Sequence, residues 1–229
     1  MIFGVLIPAA ILGTIALVVA LVVQRARGGL ELSPRGLLRL YLYIASLAGL
    51  VVLTIGLASI VNFALAATAG DEFIYGGPPR VAIAPVPPTC PPGAPNCAQR
   101  TPEQDAQFQR QQDQQRERRR NEDLIRGITF TVFGAAFWAA HWMARRGLGE
   151  DDPAMTGLRR GYLMLGTIVF GLTTVVLLPT GIYQALANAI LPTSDNLFRQ
   201  GADALGGGLV SLPIWLVFLR FVVTEFREK

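Results

Sequence analysis

Charge in this chain comes in blocks. Five stretches, residues 1–24, 40–70, 127–144, 161–194 and 204–219, carry no Asp, Glu, Lys or Arg at all. Together they take up 123 of the 229 residues, so all 36 charged side chains fall in the remaining 106. A water-soluble domain mixes polar and apolar residues along every helix and strand, because each element has one face to the core and one to solvent. Segregation on this scale excludes a soluble globular enzyme and predicts an integral membrane protein. A hydrocarbon layer of about 30 Å takes about 20 helical residues to cross. Runs such as LTIGLASIVNFAL are continuous and not alternating, which excludes a membrane β-barrel. The expected fold class is all-α: a helical bundle of five spans, near residues 2–23, 38–67, 124–145, 158–190 and 204–223. The second and fourth are longer than the layer and must tilt, protrude or bend; Pro179 followed by Gly181 is the natural place for a bend in the fourth.

The first span has no basic residue before it, and Arg25 and Arg27 follow it. That is the pattern of a retained anchor and not of a cleaved leader. Arginines close to span ends set orientation. Arg25, Arg27, Arg35 and Arg39, then Arg145, Arg146, Arg159 and Arg160, then Arg220, Arg227 and Lys229 all fall on one face. That face is expected to be the cytoplasmic side of a bacterial inner membrane, with the N-terminus outside and the C-terminus inside. The run Arg116–Glu117–Arg118–Arg119–Arg120 argues the other way, since it lies near a span on the opposite face.

The helices resemble one another. Gly36–Leu42 and Gly157–Leu163 agree at five of seven positions with an offset of 121, sharing the pattern G-L-x-R-x-Y-L. The same offset pairs Ala64-Leu65-Ala66 with Ala185-Leu186-Ala187, and Trp138 aligns with Trp215. The expected organisation is therefore an anchor with its basic loop (residues 1–35), a first hairpin with a long outer loop (36–156), and a second hairpin with the tail (157–229). Two hairpins entering from the same face form a parallel repeat about an axis along the membrane normal.

With the R-x-Y-L helix start and Trp138-Ala139-Ala140-His141-Trp142 on the partner helix, the chain resembles an uncharacterised family of bacterial multi-pass membrane proteins, a domain of unknown function. The resemblance runs over about residues 37–223, less the long loop. It implies a helical bundle and brings no activity, cofactor or partner with it. His141 and Trp142 of the first hairpin become Phe218 and Leu219 in the second.

The long loop has two characters. Residues 75–98 are rich in Pro and Gly and should be extended. Within them TCPPGAPNCA places Cys90 and Cys97 at a spacing that closes a small ring, read as a disulfide in an oxidising compartment; two free thiols are the alternative. From Thr101 the composition turns to Gln, Glu and Arg. Thr101 suits an N-cap and Pro102 the first helical position, so a helix is expected from 102 that continues into the third span. Its polar part would stand about 30 Å above the membrane, with Arg116, Arg118, Arg119 and Arg120 facing lipid headgroups or an acidic protein. Outside the cytoplasm no nucleic-acid partner is expected.

Chemistry is sparse. No nucleophile motif, zinc-protease motif or phosphate loop occurs, and Gly206-Gly207-Gly208 opens an apolar helix with no strand before it. No ionisable group lies at mid-span, where one would mark a pump or coupled transporter. Asn62, Gln184 and Asn188 are the polar candidates for a cleft between the repeats, or for bonds between helices. His141, the sole histidine, is a candidate ligand for haem or a pigment, or a member of an aromatic belt with Trp138 and Trp142. No cofactor is otherwise expected. The functional expectation is a non-catalytic accessory or scaffold subunit of a larger membrane complex, respiratory or photosynthetic, whose partners are lipids and other subunits. The alternative is a small transporter or lipid-binding protein.

Overall fold

Three of the long helices begin with proline, whose fixed φ and missing N–H suit the first turn. They are α1 (Pro34–Ala69, 36 residues), α3 (Pro102–Arg146, 45 residues) and α4 (Pro153–Ile190, 38 residues). The short α2 (Asp71–Tyr75) follows α1, and α5 (Ala204–Arg227, 24 residues) closes the chain. The computed structural model describes residues 34–76, 102–147, 153–190 and 202–227. Every regular element among them is helical. Four helices, α1, α3, α4 and α5, are long and apolar enough to cross a membrane. The expected anchor at residues 2–23, the proline-rich segment and the Cys90–Cys97 pair lie outside the described residues.

The helix boundaries differ from the sequence expectation in a regular way. α1 starts at Pro34 and α4 at Pro153, four and five residues before the expected starts at 38 and 158, because the prolines set the first turn. The polar segment from Pro102 and the third span form one continuous helix, as expected. Pro179 lies inside α4, and Pro213 lies inside α5.

α1 packs chiefly on α3, and α4 chiefly on α5; α5 also touches α1 and ties the two pairs together. The core is built by Leu47, Leu50, Val51, Ile55 and Ala58 of α1, Val169, Phe170 and Leu177 of α4, and Val210 and Phe218 of α5. α3 supplies only partly buried Phe130 and Trp138 to it. Accordingly 11% of the apolar window of α3 is buried, against 56% for α1.

Glycines set the spacing within each pair. A side chain at Gly134 would run into the backbone of Leu53, and one at Gly56 into the backbone of Thr131. In the second pair a Cβ at Gly208 would lie 2.6 Å from Leu178 Cα, and one at Gly181 2.5 Å from Leu205 Cα. Such approaches let dispersion act between backbones where lipid offers no hydrophobic contrast. Buried hydroxyls do not disturb this packing, because Thr54 and Thr173 donate to the carbonyls of Leu50 and Val169, each at 2.7 Å. The hydroxyls of Thr174 and Ser211 lie 3.0 Å apart across α4 and α5.

Helix propensity alone would make Gly134→Ala stabilising by about 0.5–1 kcal/mol. We expect the reverse, a loss of about 1–3 kcal/mol from overpacking, read as a lower thermal midpoint by circular dichroism in detergent. Gly157→Ala, where a Cβ meets nothing within 4 Å, should be neutral or better. Equal behaviour of the two variants would contradict the close α1–α3 contact.

Candidate functional site

At the end of the bundle where α1 stops, two glycines turn the chain. Gly70 (φ 100°) and Gly76 (φ 67°) adopt left-handed backbone that only glycine takes readily, and they bracket α2. Between them Ile74 is fully buried against Ala66 and Ala202, with Phe73, Tyr75 and Ala185 packed around. Ala202 donates its N–H to the Phe73 carbonyl at 3.0 Å, so the segment leading into α5 is fixed to this cap.

The polar part of α3 is latched to the same cap. Arg116 is 6% exposed. Its Nε donates to the Gly76 carbonyl at 3.2 Å, and its Nη1 lies 3.2 Å from Glu72 Oε1 and 3.4 Å from Asp113 Oδ1. One turn on, Arg120 Nη1 lies 3.4 Å from Asp71 Oδ2, and Arg119 reaches the Tyr75 carbonyl at 3.5 Å. The Tyr75 hydroxyl donates to Asp123 Oδ2 at 3.0 Å, and Arg126 lies 3.7 Å from the other carboxylate oxygen. Both acids of this contact are shifted. Burial, then the neighbouring Asp123 carboxylate, pushes the Tyr75 phenol well above its usual range. Asp123 stands just before the uncharged stretch of α3, and burial raises it despite the Tyr75 hydrogen bond and Arg126.

The four arginines expected to face outward therefore divide. Arg116 is buried and Arg120 half-buried in the latch, while Arg118 and Arg119 are exposed. The physical reason is a polar stripe. Gln112, Arg116, Arg120 and Asp123 recur at helical spacing and run straight into Gly127, Thr131, Gly134 and Trp138, all buried or partly buried. An apolar stripe is absent from the arm, yet one face is covered. α2 went unrecognised in the sequence. Its signal is Asp71-Glu72, immediately past one span, facing the arginine run immediately before the next.

The three cleft candidates lie near the cap. Asn62 is 4% exposed; its Nδ2 donates to the Asp203 carbonyl at 3.0 Å, and its Oδ1 has no hydrogen-bond partner. A side chain at Gly206 would collide with that Oδ1, so Asn62 is wedged against the start of α5. Gln184 is 5% exposed, and its Oε1 also lacks a partner. Asn188 is half-buried and makes contacts of its own. Asn62 thus joins α1 to the start of α5 and does not front an open space.

His141 lies at the opposite end, on the last turns of α3. Its Nδ1 is 2.8 Å from the Phe137 carbonyl, which can only accept. In the neutral ring the proton is on Nδ1, and Nε2 accepts from the Tyr41 hydroxyl at 3.3 Å. A metal or pigment at Nε2 would have to displace Tyr41. The surroundings are aromatic and cationic: Trp138 and Trp142 stack at 6.0 Å, and the Arg146 guanidinium lies 3.6 Å over the Trp142 ring. No group of three metal-ligating side chains occurs among the described residues.

In comparison with known proteins, the chain is similar to a family described as Domain of unknown function (DUF5671), over residues 105–213. The match covers α3 from its fourth residue, α4, and α5 as far as Pro213. The resemblance read from the sequence runs over 37–223 less the long loop; the match takes in residues 105–123 of that loop and leaves α1 and α2 outside. No curated protein and no solved structure matches the chain.

Replacing Arg116 by Met keeps the bulk of the side chain and removes its contacts with Glu72, Asp113 and the Gly76 carbonyl. We expect a loss of about 1–3 kcal/mol, with faster amide exchange confined to residues 71–76 and 106–120. Arg118→Met should change neither. Uniform protection across both variants would mean that the arm is not held by this latch.

Proposed function

We propose that the chain is a non-catalytic accessory or scaffold subunit of a larger membrane complex, docking through α3. The carrying observation is the surface of that helix. Beyond its one covered stripe it leaves Ile125, Ile128, Val132, Phe133, Phe137 and Met143 exposed. The same helix continues into an exposed polar arm that still bears an exposed aromatic, Phe108. Lipid tails would cover the apolar part alone; a continuous apolar-then-polar face suits a neighbouring subunit that also spans the membrane and rises above it. Thr54, Thr173, Thr174 and Ser211 bond to their own helices or between helices, which favours a structural role. The alternative, a transporter or lipid-binding protein with a cleft at Asn62, Gln184 and Asn188, has in its favour the two unpartnered amide oxygens.

The repeat belongs to the same reading. Shifting the first helix of each pair by 121 and the second by 77 carries one pair's contacts onto the other's. Leu53 against Gly134 becomes Thr174 against Ser211. Tyr41 against His141 becomes Tyr162 against Phe218, with ring centroids 5.6 Å apart. Gly56 with Thr131 falls within one residue of Leu178 with Gly208, and Ile60 with Gly127 within one residue of Gly181 with Leu205. Retained contact register supports two parallel copies; an anchor helix before them, making five spans, is part of the proposal. The finer placement, a bacterial inner membrane with the N-terminus outside and a Cys90–Cys97 disulfide, goes with it.

Purification in mild detergent followed by native mass spectrometry tests the role. A stable assembly with other membrane polypeptides is expected, and a lone monomer from gently extracted native membranes sinks the proposal. For sidedness, Cys90 and Cys97 should react with an impermeant maleimide on intact cells only after reduction. Labelling that requires permeabilised cells would reverse the orientation.

A further inference from the structure

We propose that the crevice between α1 and α4 at the arginine-rich end holds an acyl chain of an anionic phospholipid, whose phosphate is met by Arg145. Leu40, Tyr43 and Leu47 of α1 face Leu158, Tyr162 and Leu165 of α4 across this crevice, which encloses about 20 Å³. That is room for about one water-sized group, so the feature is a furrow along which a chain lies and not a chamber for a solute. Leu37 of α1 and Ile168 of α4, one turn from Leu40 and Leu165, are apolar and exposed.

The cation stands beside it. The Arg145 guanidinium, from the last turn of α3, lies 4.7 Å from the Tyr43 ring centroid and 5.3 Å from that of Tyr162. These two rings also wall the furrow, 5.2 Å apart. Stacking on aromatic faces holds a weakly hydrated guanidinium in place and leaves its planar fork for an oxyanion. Two neighbouring cations are met within the chain, since Arg159 and Arg160 share Glu225 at 3.0 and 3.6 Å. Arg145 forms no ion pair with a described residue; its Nη1 is enclosed and has no hydrogen-bond partner, so the other edge of the guanidinium is the one left for an oxyanion. An apolar furrow between spans, flanked at its two tyrosines by a cation with no ion pair among the described residues, is complementary to an anionic lipid. The inference rests on the helices being membrane spans and not on the scaffold role, so a monomeric protein would leave it standing.

The test uses the full chain in dioleoylphosphatidylcholine vesicles, with tryptophan quenching by dibrominated phosphatidylglycerol compared with dibrominated phosphatidylcholine. Trp138 and Trp142 lie one to two turns from Arg145 on α3. We expect a preference of about fivefold for the anionic lipid, the worth of one arginine near a charged leaflet. Arg145→Gln should bring the ratio close to one. Leu165→Phe, which fills the furrow and keeps the cation, should also lower it, and Arg227→Gln should leave it unchanged. No preference in the native chain, a preference that survives Arg145→Gln, or an equal fall in Arg227→Gln would overturn the site. Should Arg145→Gln not fold, native mass spectrometry of the unmodified chain decides: one retained phosphatidylglycerol after detergent washing supports the site, and none overturns it.

Discussion

Backbone against backbone is the contact on which this bundle depends. At Gly56, Gly134, Gly181 and Gly208 the partner helix comes so close that a single methyl group has no space. In an apolar solvent the usual drive to bury hydrocarbon vanishes between helices, and close packing with a few hydrogen bonds has to hold them. The glycines bring helix axes together, the threonines return their hydroxyls to their own carbonyls, and the larger side chains of α1, α4 and α5 interlock around Phe170. α3 takes part through its glycine stripe and the partly buried Phe130 and Trp138, which is why so much of it remains uncovered.

The two ends of the bundle then differ in kind. One is closed by a short helix between two left-handed glycines and held by arginine–carboxylate contacts that are partly out of water. The pair at Arg116 and Glu72 contributes most, because the guanidinium is nearly enclosed; the wider, half-exposed Arg120–Asp71 pair adds little. The other end is ringed by arginines that rest on aromatic faces, with Glu225 answering only two of them. The first end restrains the polar arm, and the second presents cations at the level of the tyrosines.

Much of this was legible before the fold. Uninterrupted apolar runs identify the four long helices, and Thr101-Pro102 marks where the arm begins. The starts at Pro34 and Pro153 were placed late, because the reading followed where charge ends. The latch was not legible at all as periodicity. DEFIY is too short to show any, and the covered face of the arm is made of Gln112, Arg116, Arg120 and Asp123, which a search for apolar stripes passes over. The sequence offers Asn62 for a cleft or for a bond between helices, and its partner, the Asp203 carbonyl, is 141 positions away. Arg145 counted in the sequence only as one positive charge among many; its seat on Tyr43 and Tyr162 needs three helices to converge.

The length of α3 has an electrical consequence. Forty-five residues make a rod of about 68 Å, more than twice a hydrocarbon layer of about 30 Å. Measured along the axis from the start of its apolar part, the far tip with Glu103 and Arg110 is about 30 Å out. At physiological ionic strength fields decay over about 8 Å. Along a rod that stands upright, the tip is insulated from the surface potential of the bilayer, and its charges answer only to what arrives from the aqueous side.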